Sequence, residues 1–86
     1  IAFGGVKPDP PYTESARQTR TQGVVILSAI IDGEGNVRNL EAVKGLPGGL
    51  TESALETVAQ WKFEPALRAG EPVAVRYYIT IGFWLQ

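Results

Sequence analysis

Residues 50–65 read LTESALETVAQWKFEP: a short amphipathic run that passes directly into an aromatic segment stopped by proline. Ala54, Leu55, Val58 and Trp61 recur at steps of three and four, the spacing of one buried helical face. Glu52, Glu56 and Gln60 fall on the opposite, wet side. Thr51 is the expected N-cap, its hydroxyl accepting a first-turn amide, with Leu50 and Leu55 forming a hydrophobic staple around it. Pro65 pushes Glu64 out of helical geometry, so the chain is extended by that point. A helix of three turns is marginal alone in water, so the rest of the chain must cover its apolar face.

Working outward from it, the last stretch has the cleanest periodicity. Val73, Val75, Tyr77, Ile79, Ile81, Phe83 and Leu85 occupy the odd positions, while most even positions are polar or small, which predicts a strand with one core-facing side. Trp84 and Tyr78 fall on the even face. They either pack under the chain start or mark a contact surface, and the sequence leaves both open. Trp61 and Phe63 read as core aromatics. Upstream, Val24 to Ile31 is rich in β-branched residues and nearly continuous in apolar character, as suits a strand with neighbours on both sides. Asp32-Gly-Glu34-Gly-Asn36 is dense in turn formers and predicts a hairpin loop, and Val37 to Val43 returns as a more polar edge strand. Gly45 to Gly49 is a second loop. Tyr12 to Arg20 reads as a first short helix capped by Thr13, with Ala16 pointing inward. A further loop is expected from Pro65 through Gly70 and Pro72. Residues 1–10 hold two glycines and two prolines and read as a linker end, ahead of one domain over residues 11–86.

Composition narrows the function classes. Eighty-six residues with 44% hydrophobic and 20% charged content make a single globular domain. A net charge of −1 with scattered basic residues argues against nucleic acid or an anionic membrane as partner. The chain has no Cys and no His, which removes thiolate chemistry, disulfides, the usual neutral-pH base and the commonest metal ligand. Asp32, Glu34 and Asn36 open like a calcium loop, but that loop requires Gly and Glu where Val37 and Val43 stand, so hairpin-turn chemistry is the better reading. The glycines at 45, 48 and 49 lack the Lys that follows in a P-loop. The expectation is a non-enzyme with no cofactor, no metal and no catalytic residue. The chain starts at Ile1 rather than Met and reads as a piece of a longer protein whose targeting segment lies upstream.

These residues converge on a family. Pro11-Tyr12 and Ala16 in the first helix, Gly23-Val24 opening a strand and Asp32…Gly35-x-Val37 through the hairpin carry the first half of the likeness. Ala54, Leu55, the run Trp61-Lys62-Phe63-Glu64-Pro65-Ala66, and Gly70-x-Pro72-Val73 carry the second. Together they resemble the C-terminal domain of TonB-type energy transducers across about Pro11 to Phe83, and the Trp-Lys-Phe-Glu-Pro run is the most specific part. The family commonly has Tyr-Pro in the first helix where this chain has Tyr12-Thr13. TolA-like periplasmic domains share the general architecture, but the Trp61–Pro65 run weighs toward TonB.

The resemblance implies an α+β fold: a three-stranded antiparallel sheet (order 2-1-3) with two short helices packed on one face, element order α-β-β-α-β. It implies a periplasmic module of a Gram-negative cell, tethered by an upstream spacer and inner-membrane helix. The implied partners are the TonB box of an outer-membrane transporter and, through the N-terminal part, inner-membrane motor proteins. The expected partner-binding residues are Tyr12 and the edge strand's Val73, Val75, Arg76, Tyr77, Tyr78, Ile79, Thr80 and Ile81, whose open backbone would receive a peptide strand. The alternative is an assembly module that homodimerises, or binds another periplasmic protein, through the same edge.

Overall fold

The structure, a computed structural model, describes residues 8–85. The linker reading of residues 1–7 and the expected strand position Gln86 lie outside the described residues, while Trp84 and Leu85, expected in the last strand, follow its end at Phe83. The elements run α1 (Glu14–Gln18), β1 (Gly23–Ile31), β2 (Val37–Lys44), α2 (Leu50–Val58), β3 (Ala66–Arg68), β4 (Glu71–Val73) and β5 (Val75–Phe83). β1 forms the middle of an antiparallel sheet ordered β2-β1-β5, the 2-1-3 arrangement expected of the three long strands.

The alternation in the sequence explains which face is covered. Val25, Leu27, Ala29 and Ile31 of β1 are buried, together with Ile79 and Phe83 of β5. Their neighbours are the buried Ala16 of α1 and Leu50, Ala54 and Val58 of α2. At about 25 cal/mol per Å2 of apolar surface removed from water, this shared face is the main favourable term of the fold. Residues of β1 on the other face, Val24, Ile26 and Ile30, are half-buried, as a central strand's second face should be. Thr13 caps α1 as expected, accepting the Ala16 amide at 3.1 Å.

Three local expectations are corrected. Thr51 is not the N-cap of the central helix: Gly49 is, at φ +83, with no side-chain cap bond. Instead Thr51 Oγ1 accepts the Leu46 amide at 2.8 Å and donates to the Leu46 carbonyl at 2.9 Å, closing the preceding glycine-rich loop. Leu50 is thereby the first helical residue, so the staple has no N′ partner there. The helix also ends at Val58, and Trp61 follows it through a turn in which its amide donates to the Val58 carbonyl at 2.9 Å. Finally, the stretch read as a loop after Pro65 is a two-stranded hairpin, in which Ala66 pairs with Val73 and Arg68 with Glu71. Val73 therefore belongs to β4, not to the edge strand, which begins at Val75.

The loop between β1 and β2 is locked from inside and outside. Asp32 Oδ1 accepts the amides of Glu34 and Asn36, each at 2.9 Å, and Asp32 Oδ2 accepts from Arg38 Nε at 2.9 Å. Gly35 lies at φ +84, and a Cβ built there would stand 1.8 Å from the Phe63 carbonyl oxygen. Only glycine lets that backbone approach, in which the Phe63 amide donates to the Gly35 carbonyl at 2.9 Å. Through this contact the Trp61–Phe63 segment is held beside the sheet.

Candidate partner-binding site

The sheet has two edges, and they are built differently. β2 carries Arg38, Glu41 and Lys44, two register shifts against β1, and Asn39 at φ +52, which together blunt it as a pairing surface. β5 runs nine residues without proline, in unbroken register with β1. Among the described residues it pairs with no other strand. Its one charge is turned inward: Arg76 Nη1 donates to Ser28 Oγ of β1 at 2.8 Å, so the guanidinium lies across the sheet and away from the open edge. An open row of N–H and C=O groups on a regular, nearly uncharged strand is a template for one more strand.

A groove of about 620 Å3 follows this edge. It is lined by residues 77–82 of β5 together with Trp61, Phe63, Asp9 and Pro10. Trp61 and Phe63 are each 6% exposed, so they belong to the core even as they line the groove. The Phe63 ring meets the Tyr77 ring edge-on, with centroids 5.6 Å apart. Trp61 Nε1 donates to the Pro8 carbonyl at 3.0 Å, satisfying the indole that burial would otherwise strand.

The residues expected to bind a partner separate into three places. Tyr77, Tyr78, Ile79, Thr80 and Ile81 all line the groove. Val75 and Arg76 lie at the near end of the same strand, while Val73 stands apart in β4. Tyr12 sits at the opposite end of β5, its ring T-shaped on Phe83 at 5.7 Å and its hydroxyl donating to the Thr21 carbonyl. There it shares a second cavity, of about 370 Å3, with Arg17, Arg20, Trp84 and Leu85. The Arg17 guanidinium stands 5.3 Å from the Tyr12 ring centre. Tyr78 and Trp84 remain 58% and 64% exposed, so neither is covered by the described part of the chain start. Asp9 and Pro10 were not anticipated as part of any site. Their proline-rich surroundings carry the signature of a spacer, and only the buried indole's need for an acceptor hinted that this segment returns to the domain.

Among the described residues, no three of Asp, Glu, His or Cys gather where they could hold a metal ion. The Asp32 carboxyl is held down at about 2 by the hydrogen bond from Arg38 and then by the loop amides. It is far from the groove in function: its oxygens are spent on the turn.

Comparison with known proteins places this geometry. The family model described as the Gram-negative bacterial TonB protein C-terminal matches residues 8–85. A protein TonB of Vibrio cholerae serotype O1 is 38% identical over 79 residues, covering 90% of this chain and 32% of that protein. A protein TonB of Xanthomonas campestris pv. campestris is 31% identical over 78 residues, covering 90% of this chain and 35% of that protein. The chain thus spans about a third of the length of these relatives. The solution NMR structure of the Pseudomonas aeruginosa TonB CTD superposes with a TM-score of 0.71 at 23% identity, covering 94% of this chain and 83% of that one, and shows the same fold.

Proposed function

Because the chain belongs to the family of Gram-negative bacterial TonB C-terminal domains, we propose that it is a periplasmic binding module, not an enzyme, that takes the TonB box of an outer-membrane transporter as an added strand on β5. In this reading the domain is tethered through its upstream chain to the inner membrane. It passes motion from inner-membrane motor proteins to the transporter to which it is paired. The observation that supports it most is the long, regular, open edge of β5 bordered by a groove that Trp61 and Phe63 also line.

The physical chemistry fits a transient partner. A paired segment of about six residues spans roughly 20 Å of edge. It forms about five or six backbone hydrogen bonds, each worth roughly 1 kcal/mol net. Ordering a flexible peptide offsets much of that sum, leaving weak to moderate affinity. Backbone pairing also tolerates varied side chains, which suits a module serving several transporters.

The test is calorimetry with a synthetic TonB-box peptide and with the same peptide N-methylated at alternate backbone amides. Binding of the first and loss of binding by the second is the expected result; equal binding of both would refute strand addition. Light scattering across protein concentration, with and without peptide, separates this function from edge-to-edge pairing of two copies.

A further inference from the structure

Residues Pro8–Pro11 have no regular structure, and three of the four are prolines without an amide N–H, so their carbonyls are their main hydrogen-bonding handles. Two of those carbonyls are engaged. Pro8 accepts from Trp61 Nε1 at 3.0 Å, and Pro11 accepts from Ser53 Oγ of α2 at 2.6 Å. Asp9 and Pro10 lie between these two anchors in sequence and line the same groove as residues 77–82 of β5. Trp61 belongs to both arrangements, since its ring lines the groove while its N–H holds the segment.

We propose that Pro8–Pro11 is a load-sensitive strap: tension on the chain ahead of Pro8 lifts Asp9 and Pro10 off the groove and loosens a peptide strand held there. The proposal rests on the strand-addition reading and names how that site is regulated. Among the described residues, load arriving from the N-terminal side meets the Trp61–Pro8 hydrogen bond before the Ser53–Pro11 bond. These two bonds stand against nine cross-strand pairs between β1 and β5, so the strap parts while the sheet holds. Peeling then arrests at Tyr12, whose ring is seated on Phe83 and whose hydroxyl is bonded to Thr21. By linkage, a peptide that packs against the strap tightens it, and loss of the strap weakens the peptide by the same factor.

The variant Ser53→Ala removes one anchor without touching the groove lining, and alanine is a better helix former, so α2 is retained. The probe is a blocked peptide of about seven residues alternating valine and threonine, a generic strand. In calorimetry with the intact chain, Ser53→Ala should raise its Kd about threefold to tenfold. In the unaltered protein, the same peptide should slow hydrogen exchange of the Trp61 indole N–H severalfold, a readout that needs no variant. Optical-trap pulling from the N-terminus should show a first step of about 13 Å, the length of four extended residues, before the sheet unfolds. That step should come at lower force in Ser53→Ala. A wild-type protein that binds the probe with unchanged indole exchange, a Ser53→Ala protein with wild-type affinity, or pulling traces without the early step would overturn the strap and leave strand addition standing. Failure of the wild type to bind both this probe and the TonB-box peptide would overturn the proposed function, and the strap with it.

Discussion

Gly35 shows how far a single residue constrains this domain. Its positive φ and the 1.8 Å approach of a hypothetical Cβ to the Phe63 carbonyl leave no room for a side chain. Gly35→Ala should therefore cost about 2–4 kcal/mol in thermal or denaturant unfolding, through strain and loss of the Phe63–Gly35 hydrogen bond. Wild-type stability would mean that the hairpin and the Trp61–Phe63 segment are not tied together. Asp32 works in the same loop by charge. Arg38, then the amides of Asn36 and Glu34, hold its carboxyl at about 2, below its ordinary value. A carboxylate depressed by folding contributes stability above its unfolded pKa and loses it as pH falls through the folded one, so the effect fades from about pH 4 to about pH 2. Asp32→Asn should flatten the pH dependence of the melting temperature across that window and leave it unchanged in shape at neutral pH. A variant that loses stability between pH 4 and 2 as steeply as the wild type would show that another group governs that range. Both residues were visible in the sequence as turn formers, and the partners of Asp32 lie within six residues of it; the partner that makes Gly35 indispensable was not visible, because Phe63 lies far along the chain.

The elements show the same division. Continuous apolar character predicted a central β1, which formed where it was expected; period-two alternation predicted the last strand, but β5 is shorter than the alternation from Val73 to Leu85 and spans only Val75–Phe83. The start of α2 did not follow local capping preference. Thr51 has the residue type of an N-cap, but its hydroxyl is captured by Leu46 and the cap falls to Gly49. Thr51→Val should thus destabilise by about 1–3 kcal/mol by stranding the half-buried Leu46 amide and carbonyl, whereas Thr51→Ser should be near neutral. Urea titration of the pair distinguishes a loop clamp from a helix cap. The β3–β4 hairpin was missed for a related reason. Its strands have three residues each and include Pro72, so neither length nor propensity announces them; cross-strand pairing alone defines them.

Across the whole molecule, sheet order decides which backbone is protected. β1 is bonded on both sides and β5 on one. Amide exchange followed by NMR should be slowest in β1, and β5 should contain fast-exchanging amides on its outer side that become protected when a peptide strand is added. Uniformly slow exchange along β5 in the free monomer would mean that its edge is already covered. The same order makes the groove a shared product of distant segments: β5 at the end of the chain, Trp61 and Phe63 after α2, and Asp9 with Pro10 at the start of the described residues. The open edge was expected from the proline-free last strand together with the family resemblance, but the second wall of the groove was not.

By itself, then, the sequence determined the alternation of buried and exposed positions, and with it the long strands, the two helices and the aromatic core. These follow from local periodicity and from the need to remove apolar area from water. Only the tertiary structure decided that Thr51 closes a loop, that Val73 leaves the edge strand, and that a proline-rich segment returns to wall the groove. Each of those depends on which carbonyl or amide a side chain finds across the fold, and a hydrogen bond between remote residues leaves no periodic trace along the chain.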